Sequence, residues 1–317
     1  MKILVTGGSG FLGRGIVNSL KKDHHDLVMT SRRDITPLEE GVEVVNTGEL
    51  NDSTDFSTAM GGVGVVIHTA ARVHMMADDS PNPLREFRSV NVDGTLNLAK
   101  QAANHGVKRF IYISSIKVNG EETSVGKPYV EKITHVPVDP YALSKYEAER
   151  GLLAIMKESG MEVVIIRPPL IYGPGVGANF ESMISILNRG MLLPLGAIKN
   201  KRSLISIYNL IDFIRVCISH PNAGGQVFLV SDGHDVSTTE LLRTILRALG
   251  KRNTLVPIPH NLVVFVSTAL GKKSLVERLC GSLVIDISKS RKLLGWEPKY
   301  SFEDEIKKTV REFLNYE

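Results

Sequence analysis

A short glycine-rich segment near the N-terminus constrains this chain more than any other feature. It follows an apolar stretch at residues 2–5, and within it Gly7, Gly10 and Gly13 are spaced three residues apart. Glycine permits a tight turn and lets backbone N–H groups approach a pyrophosphate, which then lies at the positive end of the next helix. A plain glycine-rich turn is the alternative, but a strand before it and a helix after it favour a dinucleotide site.

Apolar stretches alternate with segments of helical periodicity through the first half of the chain. Strands are predicted at residues 2–5, 27–30, 42–45, 65–69, 110–114 and 163–167, and helices at 13–20, 94–105 and 141–158. Uninterrupted apolar strands are typical of parallel sheets that helices cover on both faces. The alternation therefore predicts an α/β fold with a doubly wound parallel sheet of the Rossmann type.

The pattern changes after residue 167. Proline and glycine interrupt residues 168–196; a strand at 226–230, a helix with a Ser237–Glu240 capping box ending at Gly250, and a helix at 303–314 follow. We therefore expect a dinucleotide-binding domain over residues 1–167. Residues 168–317 would form a smaller mixed α/β lobe, mainly substrate-binding and interleaved with the first domain.

The end of the second predicted strand bears on which dinucleotide binds. A carboxylate there would accept a hydrogen bond from the adenosine ribose and select NAD. The chain instead has Ser31, Arg32 and Arg33, with Asp34 arriving late. Two guanidinium groups suit a 2′-phosphate, although a solvated turn is the plainer interpretation. The sequence favours NADP(H), with NAD(H) as the alternative.

Two further strand ends offer cofactor contacts. Glu49 and Leu50 follow the third strand at a position suited to adenine. His68 is interpreted as a packed strand-end residue without a catalytic role. Small residues that would let a dinucleotide lie close come next, namely Thr69, Ala70 and Ala71.

A tyrosine and a lysine four residues apart provide the candidate proton-transfer pair. Asp139 can cap the helix and Pro140 suits its first turn, so Tyr141 would lie near the positive helix end. We expect that end and the Lys145 ammonium to lower the tyrosine pKa from its usual value near ~10, and a bound nicotinamide to add to the effect. Tyr141 could then act as a general acid–base, while Lys145 would also bind the nicotinamide ribose.

Two serines at the end of the fifth predicted strand strengthen this interpretation. Open α/β sheets place their ligands at the carboxyl ends of the strands, and Ser115, following Ser114, could bind the same substrate oxygen as Tyr141. A simple strand-terminating turn is the alternative. A serine, a tyrosine and a lysine in this order favour catalysis.

Together these motifs resemble the extended short-chain dehydrogenase/reductase family, in particular its nucleotide-sugar epimerase/dehydratase branch, over essentially the whole chain. The matching segments are the glycine motif, residues 68–71, 91–95, 114–115, Tyr141 with Lys145, 167–168, 172–174 and 294–298. The resemblance implies a catalytic triad of Ser115, Tyr141 and Lys145. The residues expected at the cofactor are Gly7, Gly10, Phe11, Leu12, Gly13, Ser31, Arg32, Arg33, Glu49, Leu50, Thr69, Ala70, Ala71, Asn91, Ser114, Tyr141, Lys145 and Pro168.

The resemblance also implies a substrate. In this branch the second lobe holds a nucleoside diphosphate sugar, usually linked to uridine. Two arginines there are reasonable clamps for a pyrophosphate, although each could be a solvated surface residue. The expected substrate contacts are Ser115, Asn179, Phe180, Arg202 and Arg278. Leu170 stands where several epimerases carry an asparagine, which is a departure from the pattern.

Further departures bear on the reaction. Ile116 and Lys117 follow Ser115 where the 4,6-dehydratases of the branch carry an Asp-Glu pair, which argues against dehydration. Arg32 and Arg33 suit NADPH as a consumed reductant. Residues 202–210 resemble enzymes that reduce UDP-4-keto-6-deoxy-N-acetylhexosamines for surface polysaccharide, and we expect such a C4 reductase. The first alternative is a UDP-glucose or UDP-N-acetylglucosamine 4-epimerase with tightly bound NAD. A non-enzymatic dinucleotide sensor is the second, although such proteins typically lose the tyrosine or the lysine.

Composition limits the partners. A net charge of +4 is too small to indicate nucleic acid. The apolar run at residues 262–270 is shorter than the ~20 residues needed to cross a bilayer; buried core is favoured for it over an exposed lid or an interface helix, and we expect no membrane partner. Cys217 and Cys280 lack metal-ligand spacing, so we expect no metal, no disulfide framework and a cytoplasmic location. Homodimers are common in this family, and a homodimer remains open.

Overall fold

The structure is a computed structural model that describes residues 1–33, 40–73, 82–259, 262 and 279–316. Its strands are β1 (Lys2–Thr6), β2 (Asp26–Ser31), β3 (Val42–Asn46), β4 (Val63–His68), β5 (Arg109–Ile113), β6 (Glu162–Arg167), β7 (Leu170–Tyr172), β8 (Arg202–Ser206), β9 (Val227–Leu229) and β10 (Asp235–Val236). Its α-helices are α1 (Phe11–Lys22), α2 (Ser57–Met60), α3 (Pro83–Arg88), α4 (Thr95–Asn104), α5 (Pro140–Ser159), α6 (Ala178–Asn188), α7 (Ile207–Ser219), α8 (Thr238–Ala248), α9 (Ser288–Leu294) and α10 (Phe302–Tyr316). A π-helix spans Ser89–Gly94 and a 3-10 helix spans Ile116–Val118.

Seven parallel strands form the central sheet, in the order β3-β2-β1-β4-β5-β6-β9. The reversal of strand order beside β1 is the doubly wound arrangement, which confirms the predicted fold class. In the register of the sheet Thr6 pairs with Thr30 on one side and with His68 on the other. The carboxyl ends of β1, β2 and β4 therefore meet at one edge.

Local sequence explains where the principal helices begin and end. The Asp139 side chain accepts a hydrogen bond from the Ala142 N–H at 2.9 Å, and Pro140 occupies the first turn of α5, as predicted. That helix ends at Gly160, whose φ of 76° suits glycine. Helix α8 begins with the predicted capping box between Ser237 and Glu240.

Each face of the central sheet has its own apolar core. One core lies with α1 and α7 and includes residues from both halves of the chain, from Ile3 to Trp296. The other lies with α4 and α5 and includes Leu98 and Leu152, both fully buried. A third core joins α6, α8 and α10 to the small sheet β10-β8-β7.

The second half of the chain contributes to both sheets. Strands β7, β8 and β10 form the small sheet, whereas β9 pairs with β6 at the edge of the large one. The division at 167/168 remains a prediction. Among the described residues, none of the helices combines the length and apolar character that crossing a bilayer requires.

Several elements were missed or misplaced by sequence reasoning. The strands β7, β8 and β10 and the helices α6, α7 and α9 were not predicted. The helix predicted at 94–105 begins at Thr95 and is preceded by the π-helical turn at Ser89–Gly94. Gly94 is required there because a Cβ atom would lie 2.6 Å from Leu50 Cγ.

Candidate active site

The glycine segment forms a tight connection between β1 and α1. Gly7 has a φ of +70°, and its carbonyl accepts a hydrogen bond from Gly10 N at 3.0 Å. A Cβ atom on Gly13 would lie 2.1 Å from that same carbonyl oxygen. The third glycine therefore lets the first turn of α1 pack directly on the loop. Phe11 and Leu12 open the helix and pack partly buried on the core beneath.

The N-terminus of α1 suits a dinucleotide pyrophosphate. Gly10 is the N-cap, no side chain caps the helix, and its first turn carries no acidic residue. Backbone N–H groups at such a terminus attract anions. The residues present therefore fit the phosphate part of a dinucleotide.

The end of β2 is less favourable to a 2′-phosphate than the sequence suggested. Arg32 and Glu49 are both about three-quarters exposed, and Arg32 Nη1 lies 3.8 Å from Glu49 Oε2. This carboxylate offsets the positive charge that would attract a phosphate. The Ser31 hydroxyl accepts a hydrogen bond from the Arg33 N–H at 3.3 Å, which holds the turn.

The small residues after β4 lie against the glycine turn. Thr69 donates a hydrogen bond from its hydroxyl to the Thr6 carbonyl at 2.6 Å. A Cβ atom on Gly7 would lie 2.7 Å from Ala70 N, so the two loops are in close contact. Ala71 follows in the same partly exposed segment.

His68 has the structural role expected of it. Its ring nitrogens lie 2.6 Å from the Thr6 hydroxyl and 2.8 Å from the Thr95 hydroxyl. Burial, with a contribution from Lys145, lowers its pKa to about 3. The imidazole is therefore neutral at physiological pH and joins β1, β4 and α4.

The side chains of three residues predicted at the cofactor form hydrogen bonds or pack within the protein. Asn91 is fully buried in the π-helix, where its amide bonds the Arg72 backbone at 2.8 and 3.0 Å and the Ser144 hydroxyl at 3.0 Å. Leu50 is buried against Gly94. Ser114 donates its hydroxyl hydrogen bond to the Glu149 carboxylate at 2.5 Å. These three side chains are therefore bonded or packed within the protein, and contact of the three residues with the cofactor stays a prediction.

The structure brings the three candidate catalytic residues together at the carboxyl edge of the sheet. Ser115 caps the 3-10 helix after β5, and its hydroxyl lies near enough to Tyr141 to lower the pKa of the phenol. Lys145 lies one turn along α5 from Tyr141 and donates a hydrogen bond to the Ile113 carbonyl at 3.0 Å. Nearby, the Pro168 carbonyl accepts a hydrogen bond from Ile116 N at 3.0 Å, which joins the end of β6 to the same turn.

The pKa of Tyr141 differs from the sequence-based expectation. Burial raises the pKa of Tyr141 to about 12; the Ser115 hydrogen bond lowers it in part, and the charge of Asp139 raises it further. The predicted lowering was therefore wrong for this structure, because removal of water outweighs the helix terminus. The carboxylate that caps the helix also opposes the phenolate.

Lys145 is almost inaccessible, with 2% of its surface exposed. Burial lowers its pKa to about 7, while the Glu149 carboxylate opposes this shift. Its ammonium nitrogen lies 4.7 Å from the centre of the Tyr112 ring, at a distance where the ring face attracts a cation. Lys145 can therefore gain or lose a proton near neutral pH.

A buried ion pair supports the site and was missed by sequence reasoning. Arg167 binds Glu149 through two hydrogen bonds of 2.9 and 2.6 Å, and each side chain is only 3% exposed. Arg167 also donates to the Asn119 side chain at 3.0 Å. Because Ser114 binds the same carboxylate, this pair joins the ends of β5 and β6 to α5. One signal was present in the sequence: Glu149 follows Lys145 by one helical turn.

The residues predicted to contact the substrate lie in different environments. Phe180 is 2% exposed and stacks on Tyr172 in the core of the second lobe, so packing, and not an open cleft, surrounds it. Arg202 is half-buried and donates a hydrogen bond to the Gly281 carbonyl at 2.9 Å. The side chain of Asn179 and all of Arg278 lie outside the described residues. Leu170 is 48% exposed at the start of β7.

Two observations concern metal binding and the cysteines. Among the residues that the structure describes, no group of three His, Cys, Asp or Glu side chains is arranged to hold a metal ion. Both cysteines are free and buried. The titratable groups gathered at the sheet edge are those suited to moving a proton on and off a substrate oxygen.

Comparison with known proteins assigns the chain to a family. The sequence profile of the NAD dependent epimerase/dehydratase family matches residues 3–231. A UDP-glucose 4-epimerase of Vibrio cholerae is 48% identical over 313 residues, covering 98% of this chain and 95% of the relative. The chain belongs to the NAD dependent epimerase/dehydratase family. It is thus an enzyme of the short-chain dehydrogenase type that uses a nicotinamide dinucleotide.

Other relatives show how broad this family is. A 3-beta-hydroxysteroid dehydrogenase of Mycolicibacterium neoaurum is 29% identical over 333 residues, covering 95% of this chain and 88% of the relative. The crystal structure of UDP-glucuronic acid 4-epimerase from Bacillus cereus in complex with NAD superimposes with a TM-score of 0.79 at 21% identity, covering 100% and 99% of the two chains. That likeness demonstrates the shared fold.

Proposed function

We propose that this protein is a UDP-sugar 4-epimerase that retains NAD through its catalytic cycle. The observation that carries the proposal is the grouping of Ser115, Tyr141 and Lys145 beside the glycine turn, in a chain nearly half identical to a UDP-glucose 4-epimerase along its length. This reverses the order of preference that the sequence alone suggested, in which a 4-keto reductase came first.

The residues present account for the proton transfers of such a reaction. The bound dinucleotide supplies a hydride acceptor that can return the hydride. Tyr141 takes the proton from the hydroxyl at C4 and later gives it back. Ser115 holds the same oxygen through its hydroxyl and keeps it close to Tyr141. Between removal and return of the hydride, the 4-keto sugar has to turn its opposite face toward the cofactor, and one set of residues then serves both faces of the sugar.

Lys145 and the surrounding network prepare Tyr141 for this task. With a lowered pKa, the lysine is poised near neutral pH and can carry positive charge toward the tyrosine. Burial leaves the free phenol with a raised pKa. A cationic nicotinamide next to it would favour the phenolate, so we infer that Tyr141 becomes a base mainly once the oxidised cofactor has bound.

NAD is the cofactor we propose. The family is described as NAD dependent, and the carboxylate of Glu49 lies beside Arg32 where a 2′-phosphate would seek positive charge. The competing reductase would consume NADPH, and its support is the pair Arg32 and Arg33 together with the resemblance of residues 202–210 to such reductases. UDP as the nucleotide, a homodimer and a cytoplasmic location also remain proposals.

The deciding experiment incubates the purified protein with UDP-glucose, and separately with UDP-N-acetylglucosamine, without added cofactor. An epimerase yields the matching galactose isomers, detected by NMR, and releases NAD when denatured. Tyr141→Phe protein should yield neither isomer. If the protein instead oxidises one NADPH for each molecule of an added 4-keto UDP-sugar, it is the reductase.

A further inference from the structure

Two segments of the second lobe contain no acidic residue. The chain has 34 Asp and Glu residues, yet none lies between Glu181 and Asp212 or between Glu240 and Glu277. Exposed cations occur in both segments, namely Arg189, Lys199, Lys201, Arg243, Arg247, Lys251 and Arg252. Within each segment their charge therefore has no acidic neighbour to balance it.

The structure joins these two segments side by side. Leu193 forms a parallel bridge with Leu255, supported by a hydrogen bond of 3.1 Å from Leu193 N to the Thr254 carbonyl and one of 2.8 Å from Val256 N to the Leu193 carbonyl. Successive side chains of extended segments point to opposite sides. Leu193 and Leu255 pack on the core of the second lobe. Their neighbours Leu192 and Val256 therefore face outward.

The outward side is unusually apolar for a protein surface. On this side Leu192 is 74% exposed and Val256 39%; Met191, next to Leu192 in the chain, precedes the bridged segment and is 51% exposed. Single exposed aliphatic residues are common, but several large ones on paired segments mark an interaction surface.

A cationic cleft on α8 adjoins this apolar surface. Arg243, Arg247 and Lys251 line it together with Asn253, two residues before Leu255. Arg243 donates to the Gly196 carbonyl at 3.1 Å and Arg247 to the Thr244 hydroxyl at 2.9 Å. These partners are neutral, so the positive charge persists.

One carboxylate also lines the cleft, at the N-terminal end of α8. Glu240 is engaged there in the capping box with Ser237 and lies 3.4 Å from His234. Glu240 therefore lies at the N-terminal end of α8, whereas the three cations lie toward its C-terminal end.

We propose that this surface, formed by Met191, Leu192 and Val256 with Arg243, Arg247 and Lys251, docks the enzyme on an anionic lipid membrane. Aliphatic side chains beside exposed cations match the boundary between acyl chains and anionic headgroups, and the three cations outnumber the one carboxylate that lines the cleft. A second copy of the chain fits less well, because a symmetric contact through this surface brings together two patches that both carry positive charge. A free diphosphate would use the cations but not the aliphatic side chains.

The test is sedimentation of the full-length protein with vesicles. We expect binding to vesicles that contain phosphatidylglycerol and little binding to pure phosphatidylcholine vesicles. Added salt should weaken the binding because it screens the headgroup charge. Epimerase activity in solution is assayed in parallel, so that the docking proposal and the proposed function succeed or fail separately.

Matched variants identify the surface. The triple variant Arg243→Gln/Arg247→Gln/Lys251→Gln should weaken partitioning about fivefold per cation, or about a hundredfold in all. A control triple on the other domain, Lys22→Gln/Lys108→Gln/Lys157→Gln, should bind as the parent does. Leu192→Glu should also weaken binding, whereas Val125→Glu, at a side chain that is 99% exposed elsewhere, should not.

Several results would overturn the proposal. One is equal binding of the two triple variants, and another is no binding of the parent to anionic vesicles. Binding of inorganic pyrophosphate that the Arg243→Gln/Arg247→Gln/Lys251→Gln variant loses, without binding of the parent to anionic vesicles, would identify the cleft as a diphosphate site. Self-association of the parent without vesicle binding, abolished by Leu192→Glu, would identify a contact between copies.

Discussion

Burial acts on Tyr141 and Lys145 in opposite directions. It raises the pKa of the phenol to about 12 and lowers that of the ammonium to about 7. Both shifts disfavour charge, since both groups have lost water. The free site is therefore held near neutrality, and the charged form that catalysis requires has to be stabilised by whatever binds there.

Replacing the tyrosine tests its role directly. Tyr141→Phe removes the exchangeable proton and leaves the ring that packs edge-on against Phe87. We expect kcat to fall about 10²–10⁴-fold, the usual contribution of a positioned acid–base group. Dinucleotide affinity, measured by fluorescence titration, should stay close to that of the parent. Unchanged kcat would remove Tyr141 from the mechanism.

Replacing the lysine should stabilise the free protein while inactivating it. The folded pKa of Lys145 is depressed, so the unfolded chain binds more protons between about pH 7 and its ordinary value of 10.5. The free energy of unfolding of the parent should therefore rise with pH across that window. Below the window, the folded protein carries the full cost of burying the charged ammonium. Lys145→Met should raise the free energy of unfolding at pH 6 by up to about 5 kcal/mol.

Urea unfolding of both proteins at pH 6 and at pH 9 measures this difference. The advantage of Lys145→Met should be largest at pH 6 and smaller at pH 9. An equal difference at both pH values would show that charge burial is not its source. The variant should still bind dinucleotide, though more weakly.

The sequence could place Ser115, Tyr141 and Lys145 in one candidate site because their types, order and spacing are tied to chemistry. It could not identify the hydrogen-bond partners of Ser114 and Asn91, because these depend on which residues the fold brings next to them. Ser114 precedes Ser115 by one residue, yet strand alternation directs it to Glu149. The pKa of Tyr141 was predicted in the wrong direction, since the sequence does not give the degree of burial.

At the scale of elements, the Glu149–Arg167 ion pair holds α5 to the ends of two strands. Glu149→Gln would leave Arg167 buried without its counter-charge, at a cost of about 3–5 kcal/mol in unfolding free energy. The double variant Glu149→Gln/Arg167→Met should recover much of that loss. Urea unfolding of the three proteins provides the comparison.

A surface ion pair offers a matched control for that experiment. Arg88 and Glu147 lie 2.5 Å apart, but their side chains are 46% and 29% exposed. Glu147→Gln should cost no more than about 1 kcal/mol, because water already solvates both charges. If both substitutions cost the same, burial would not explain the effect of Glu149.

The turn between β1 and α1 makes a second prediction at this scale. Gly13→Ala would place a methyl group 2.1 Å from the Gly7 carbonyl oxygen, so the turn must shift. We expect dinucleotide Kd to rise about tenfold or more. Gly61→Ala is the control, since its Cβ atom meets nothing within 4 Å and its φ is −57°. Titration with NAD measures both.

Sequence reasoning located the strands of the large sheet within about two residues, because long buried apolar stretches leave few alternatives. It missed β7, β8 and β10, which have two to five residues each. Length alone does not account for these omissions, since β9 has only three residues and was predicted. It also missed α7, whose exposed positions are so few that its helical period is hidden.

Across the whole molecule, the two halves of the chain share a core. Trp296, the one tryptophan of the sequence, is 3% exposed, donates to Asp212 at 2.9 Å and packs on Phe213. The same core includes Ile3 and Val5 of β1. We therefore expect one cooperative unfolding transition, with equal midpoints by tryptophan fluorescence and by far-ultraviolet circular dichroism. Two separate midpoints would instead support independent folding of residues 1–167 and 168–317.

The position of β9 at the edge of the large sheet has a consequence for protein synthesis. While β9 is still inside the ribosome, β6 presents an unpaired strand edge to the cell, of the kind that invites aggregation. The core that α1 shares with Trp296 is completed later still, because Trp296 is synthesised after β9. We expect residues 1–167 of the nascent chain to need chaperone protection until Trp296 has left the ribosome. Grafting residues 1–167 onto another protein should therefore yield an insoluble fusion.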